Sequence, residues 1–262
     1  MFRQTPRHIG LARALSKLGY CSRSQAYALI RAGQVSLEGR IKRDPEQPVD
    51  LGHDHIQVRG HPIIEQKKVY VMMNKPRGML TTVSDEQGRD TIYSLLNPSL
   101  PWLAPVGRLD KASEGLLLLS NDSEWGARIT DPKTHLEKTY HVQINHVADT
   151  SLLQALRSGV RDRGDFLHTR RVSLLRSGER NSWLEIVLDQ GKNRQIRRMI
   201  AYFELQVLRL VRVSIGPLHL GDLAKGTTRS LTTIEKSALD VLTTARGTPV
   251  AHPQRGCSQI DP

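Results

Sequence analysis

With 262 residues, 38% of them hydrophobic and 24% charged, the chain carries enough apolar material for one sizeable core or two smaller ones, which excludes an intrinsically disordered protein. Its 38 Lys and Arg against 26 Asp and Glu leave a net charge of +12, an excess that points to a polyanionic partner, nucleic acid first. The apolar runs are too short for a membrane span, the start MFRQTPRHIG has no signal core, and Cys21 and Cys257 make neither a disulfide framework nor a zinc spacing, so a cytoplasmic, membrane-free setting is expected.

The first unit occupies residues 1–60. A helix is predicted with Leu11, Leu15 and Leu18 on one face, ended by Gly19. Ser22 with Gln25 three residues on reads as a capping box for a second helix, apolar at Ala26, Leu29 and Ile30 and stopped at Gly33. Three short strands follow, near Val35 to Leu37, Arg40 to Lys42 and His55 to Val58. Basic residues, among them Arg23, Arg31, Arg40 and Lys42, gather around the second helix and the first turns. The stretch LGYCSRSQAYALIRAGQVSLEGRI resembles the S4-type RNA-binding domain, which implies an RNA contact through these four side chains.

Residues 61–68 (HPIIEQKK) read as a linker and 69–236 as the second unit. It opens with an apolar strand from Val69 to Met73 that breaks into the turn Asn74-Lys75-Pro76-Arg77-Gly78. Strand patterns recur at KTYHVQI, SWLEIVL and LQVLRLVRVSIG, and helical ones at DTSLLQALRSG and NRQIRRMIAYF. Strands and helices intermix without the regular alternation of a doubly wound sheet, so the expected class is α+β. A tail at 237–262, where periodicity is lost, is expected to be largely disordered.

Three constellations could carry chemistry. In VGRLDKASEGLLLLSND, alternation turns Leu109 inward and sends Arg108 and Asp110 to the opposite face, ahead of the leucine run. On spacing alone Asp110 is either a turn residue, with Arg108 paired to Glu114, or a catalyst. In GKNRQIRRMIAYF, a helix would align Arg194, Arg197 and Arg198 on one face, opposite Ile196, Met199, Ile200 and Phe203. No local acid relieves those charges, so a phosphate, a carboxylate of the same chain, or both should complete the face. In EKTYHVQI, Lys138, Tyr140 and Val142 share one strand face, where Tyr140 is either a sheet-face packer or part of a site. No nucleotide-binding loop or activated Ser or Cys is present, and His53 and His55 have no third ligand nearby, so neither cofactor nor metal is expected.

Taken with VMMNKPRGML and LRLVRVSIGPLHLGDLAKGTTRSLT, these segments resemble the ribosomal RNA pseudouridine synthases of the RsuA-like branch, which carry an N-terminal S4-type domain. The resemblance runs to about residue 232, and its most specific part is G-R-L-D-x-x-[ST]-E-G-L-L-L-L-[ST]-N-D, matched at every position. It implies a mixed, mainly antiparallel catalytic sheet with flanking helices. It also implies isomerisation of a specific rRNA uridine to pseudouridine, without cofactor or metal, on rRNA or a pre-ribosomal particle; a monomer is expected.

By the same resemblance Asp110 is the essential carboxylate, acting either as nucleophile on the ribose or as base on a ribose proton. Arg197, from the Q-I-R triplet, is the cation that keeps it ionised, and Tyr140 is the aromatic that stacks on the uracil. The target base must first leave its stack. Arg108 is placed to fill the gap, and Lys75, Lys138, Lys192, Arg194 and Arg209 are candidate phosphate contacts. The rival reading is an RNA-binding ribosome assembly factor that keeps the fold without catalysis. The joint presence of Asp110, Tyr140 and Arg197 argues against it.

Overall fold

The computed structural model describes residues 8–82 and 87–244. The amino-terminal unit contains β1 (Ile9–Gly10), α1 (Leu11–Lys17), α2 (Arg23–Arg31), β2 (Val35–Leu37), β3 (Arg40–Lys42), β4 (Pro48–Val49), β5 (Ile56–Val58) and β6 (His61–Pro62). Gly19 follows the α1 cap with φ of 78°, the left-handed geometry that lets a helix stop without a Cβ clash. The capping box at α2 forms: Gln25 N–H donates to Ser22 Oγ at 3.2 Å and Ser22 N–H to Gln25 Oε1 at 3.0 Å. A sheet in the order β3-β2-β5-β6 closes over the two helices around Leu11, Leu15, Ala26, Ile30, Val35 and Val58. The expected linker therefore starts later than 61, because His61 and Pro62 extend this sheet.

The second unit contains β7 (Tyr70–Lys75), β8 (Ala104–Val106), β9 (Glu114–Ser120), α3 (Ser123–Thr130), β10 (Lys138–Ile144), α4 (Thr150–Ser158), β11 (Val160–Asp162), β12 (Asp165–Leu167), β13 (Arg171–Ser177), β14 (Ser182–Leu188), α5 (Gln195–Tyr202), β15 (Val207–Ile215), β16 (Leu218–His219), β17 (Thr228–Ser230) and α6 (Thr233–Thr244). Its main sheet runs β13-β14-β10-β15-β9-β7-β17, with β16 beside β15 and β8 beside β9. Among the described strands of this sheet only β15 and β9 pair in parallel; the other pairs are antiparallel. The architecture is α+β with a mixed, mainly antiparallel sheet.

The four leucines of β9 are buried because both faces of this central strand are covered. Leu116 and Leu118 pack with Trp125, Ile129, Leu136 and Leu239, from α3, α6 and the connection into β10. Leu117 and Leu119 pack the other way, with Val71, Met73, Ile92, Leu103 and Leu109. Gly115 stands where β9 meets β15, with φ of +100° and no room for a Cβ, which would collide with the backbone of Arg212. Across the sheet, α4 and α5 cover β10 and β14 through Leu152, Leu156, Met199 and Ile200 on Val142, Ile144, Leu184 and Ile186.

The motif also ties the two units together. Asn121 accepts from Val69 N–H at 2.8 Å and donates to Lys67 O at 2.9 Å, and Lys17 pairs with Glu124 at 2.8 Å. The tail departs from expectation: α6 continues to Thr244, well past 237, because Leu239 and Thr243 are buried and Asp240 accepts from Trp125 Nε1 at 3.0 Å. The rest of that expected tail, 245–262, lies outside the described residues. No helix among the described residues is long and apolar enough to cross a membrane.

Candidate active site

The loop that carries Asp110 between β8 and β9 is held by its carbonyls. Leu109 O accepts from Thr81 Oγ1 at 2.8 Å, and Lys111 O from Gly78 N–H at 2.7 Å. Asp110 O accepts from Ser113 N–H at 2.9 Å and, at 3.3 Å, from Lys75 Nζ, which also donates to Ser113 O at 3.0 Å. Ala112 O accepts from Arg197 Nη2 at 2.9 Å. Every carbonyl from 109 to 113 is thus engaged, while the Asp110 carboxylate accepts no hydrogen bond among the described residues. Its ion-pair contact is Arg194 Nη1, at 3.6 Å. With Leu109 buried beneath it and its side chain 36% exposed, Asp110 is fixed by its backbone and has its acid group free.

That carboxylate lines a cleft of about 630 Å³, within the range of about 300–1,000 Å³ usual for small-molecule sites. β10 and β15 contribute to the lining: Lys138 and Tyr140 from the first, Leu210 and Arg212 from the second, with Tyr140 and Arg212 as register partners. Arg108, Lys192, Arg194 and Arg197 line it too. Seven residues expected at the site therefore meet in one cleft: Arg108, Asp110, Lys138, Tyr140, Lys192, Arg194 and Arg197.

The geometry corrects several expectations. The arginines of the QIR segment do not share a helix face. Arg194 is the N-cap of α5, with φ of 48°, and leans on Asp110. Arg197 turns to the backbone of Ala112 and, at 3.4 Å, of Val207, so it holds the loop and acts on the Asp110 carboxylate only through space. Arg198 is taken by the β11–β12 hairpin, pairing with Asp162 at 2.6 Å and Asp165 at 2.9 Å.

Lys75, expected as a phosphate contact, is turned into the protein interior. It is fully buried, its ammonium donates to the carbonyls of Pro76, Asp110 and Ser113, and burial pushes it down to about 8 against the pull of Asp110 and Glu114. Arg209 is also committed elsewhere. It chelates Glu114 at 3.1 and 3.0 Å, where Lys225 adds a contact at 2.6 Å. Burial would raise the Glu114 carboxyl, but these donors outweigh it and hold it below the usual range. The surface pairing of Arg108 with Glu114 is therefore excluded.

Lys192 reaches Asp165 at 3.2 Å. Arg108 is exposed, with no partner among the described residues. Arg23, Arg31 and Arg40 are exposed and Lys42 half-exposed on the amino-terminal unit, away from the cleft lining.

Arg212 and Asp189 belong to the cleft and were missed in the sequence. Arg209 and Arg212 lie three apart on a strand, which puts them on opposite faces; that spacing was the available signal. Asp189 follows a strand end, where only the fold brings it under β10. No group of three His, Cys, Asp or Glu among the described residues is placed to hold a metal ion.

Residues 69–202 match the family described as RNA pseudouridylate synthase, and residues 9–56 match the S4 domain. The chain is 37% identical over 218 residues to an uncharacterised RNA pseudouridine synthase of Rickettsia typhi, covering 82% of this chain and 88% of that one. It is 30% identical over 234 residues to the ribosomal large subunit pseudouridine synthase B of Bacillus subtilis, covering 88% and 96%. A solved structure described as a pseudouridylate synthase superposes with a TM-score of 0.63 at 30% identity, over 88% of this chain and 99% of that one. The chain belongs to the RNA pseudouridine synthase family, in the branch that carries an amino-terminal S4 domain.

Proposed function

We propose that this enzyme isomerises one uridine of ribosomal RNA to pseudouridine, with Asp110 as the catalytic carboxylate. The observation that carries the reading is the Asp110 side chain, fixed through its backbone, without a structural hydrogen bond, and opening into a cleft that Tyr140 also lines. Such a carboxylate is free to meet a substrate carbon or proton, with the Arg194 guanidinium 3.6 Å away. The target nucleotide leaves the RNA stack at a cost of a few kcal/mol. Tyr140 then stacks on the uracil, a contact worth about 1–3 kcal/mol, and exposed Arg108 occupies the gap or the flipped nucleotide's phosphate.

Arg197 serves by holding Ala112 O and so the height of Asp110. The exposed Arg23, Arg31 and Arg40, with Lys42, dock folded rRNA or a pre-ribosomal particle through its backbone. The test is release of tritium from uracil carbon 5 in rRNA isolated from a strain lacking the gene. Wild type should release it and Asp110→Asn should not, although the variant folds as wild type does. Release that survives Asp110→Asn removes Asp110 from the chemistry. An rRNA pseudouridine map unchanged by gene deletion removes the rRNA substrate and favours an assembly factor.

A further inference from the structure

Lys138 opens β10, two residues before Tyr140, so both project from the same strand face into the cleft. The ammonium is half-buried and has neither a hydrogen bond nor an ion pair among the described residues. Beside it on β15, Arg212 is 6% exposed; its Nε donates to Leu116 O at 2.7 Å, and its Nη2 is buried without a partner. The acid on this side is Asp189, after β14, and His135 already stands 3.5 Å from it. Burial and then Arg212 push Lys138 down to about 8, with Asp189 pulling the other way. A half-buried ammonium beside a buried guanidinium, with no carboxylate in contact, is unfavourable unless an anion joins them.

The position on the wall indicates which anion. The exposed cations of the cleft, Arg108 and Arg194, lie where a ribose-phosphate backbone can reach solvent. Lys138 and Arg212 lie instead at strand level, flanking the tyrosine that stacks on the base. Resting on the isomerisation reading above, we propose that Lys138, backed by Arg212, holds the detached uracil as its anion by donating to a carbonyl oxygen of the ring.

The chemistry produces such an anion. When the bond from ribose C1′ to N1 breaks, the electron pair leaves with N1, and the charge spreads to the two carbonyl oxygens. C5 then forms the new bond to C1′ and releases its proton, while N1 takes one up, so the step is an isomerisation with no other reagent. A cation at the ring oxygens gains most as the bond breaks, which makes its contact stronger in the transition state than in the bound uridine.

The experiment compares wild type, Lys138→Met and Lys138→Arg on the carbon-5-tritiated rRNA, by single-turnover rate and by RNA affinity across salt. Lys138→Met should lose roughly 10²–10³-fold in rate, the effect of removing one such donor, with RNA affinity and its salt slope unchanged. Lys138→Arg keeps a fixed cation and should recover most of the rate. Its kcat/KM relative to wild type should climb above pH about 8, where free wild-type Lys138 loses its proton. An unchanged rate in Lys138→Met, or a flat Arg-to-wild-type ratio through that pH range, overturns the proposal. So does weaker binding with a salt slope smaller by about 1 at an unaltered single-turnover rate, which is the signature of a phosphate contact. If wild type itself releases no tritium, the isomerisation reading fails and this one with it; an active wild type beside an unaffected Lys138→Met removes this one alone.

Discussion

Lys75→Met deletes a buried ammonium while keeping most of the stem. Ser113 O lies in the buried interior and loses its donor at 3.0 Å, Pro76 O loses its own at 3.0 Å, and Asp110 O keeps Ser113 N–H at 2.9 Å. A buried acceptor left unmet costs about 1–3 kcal/mol. Pro76, half-buried, recovers part of its loss through water, and the variant no longer desolvates a charge. The net expectation at pH 7 is a loss of about 1–3 kcal/mol, or roughly 2–12 °C in Tm for a domain of this size.

The pH dependence has a definite sign. The folded value, about 8, lies below the unfolded one near ~10.4. Between them the unfolded chain binds more protons, so wild type gains stability as pH rises through that window, by at most about 1.4 kcal/mol per unit. Lys75→Met lacks this gain, and the Tm gap between the proteins should widen from pH 8 to 10. Because the ammonium sets two carbonyls of the Asp110 loop, single-turnover tritium release, measured well below Tm, should fall about 10²-fold, as a displacement near 1 Å would cause. RNA affinity should hold. A wild-type rate in a destabilised variant refutes the positioning role, and a Tm gap that narrows with rising pH refutes the burial argument.

Gly115→Ala should lower stability by about 2–5 kcal/mol, from a positive φ and from forcing β9 off the Arg212 backbone. The control Gly178→Ala, with its nearest contact at 3.7 Å, should stay within about 0.5 kcal/mol; equal Tm values for the two would refute the close approach. Glu114→Gln should cost about 2–3 kcal/mol, since the side chain is 3% exposed but Arg209 and Lys225 can be rehydrated. The folded Glu114 value is depressed, so its contribution is full above pH ~4.3 and fades as pH falls through the folded value. The variant should therefore show a flatter acid limb in Tm against pH, and an identical limb would show that the pair contributes nothing.

Periodicity and caps were enough for α1, α2, α4, α5 and the strands β2, β3, β5, β7, β10, β14 and β15, because helix stops such as Gly19 and the Ser22 box are local chemistry that the fold does not override, whereas α3, β13 and the β11–β12 hairpin went unread. The α6 extension escaped notice because its burial rests on two positions, Leu239 and Thr243, which do not make a long stripe. At the site, the residues meeting in the cleft were legible from motif spacing, but the division of labour among the cations was not. A lysine in a turn and arginines on a helix read as surface charge in one dimension. Whether each meets phosphate, carboxylate or backbone carbonyl depends on strands far apart in sequence. Arg194 shows the limit: a left-handed cap turned it off the helix face and onto Asp110, and nothing in NRQIRRM marks that residue for a positive φ.

The fates of these cations explain why the motif holds so much charge beside a leucine run. Glu114 begins the buried strand and is satisfied by Arg209 and Lys225, so the strand can enter the core with a carboxylate at its mouth. Lys75 and Arg197 spend their hydrogen bonds on the carbonyls of the preceding loop. A short loop without regular secondary structure has unpaired carbonyls and would ordinarily move. Held by ammonium and guanidinium donors, whose bonds are stronger than neutral ones, it becomes nearly as rigid as the strand it precedes. The carboxylate of Asp110, like the exposed guanidinium of Arg108 beside it, is then left to meet a ligand. A substitution that keeps every charge but loosens the carbonyl clamps, such as Arg197→Lys, should therefore impair turnover while RNA docking persists, and wild-type turnover in that variant would show that rigidity of the loop is not what the charges provide.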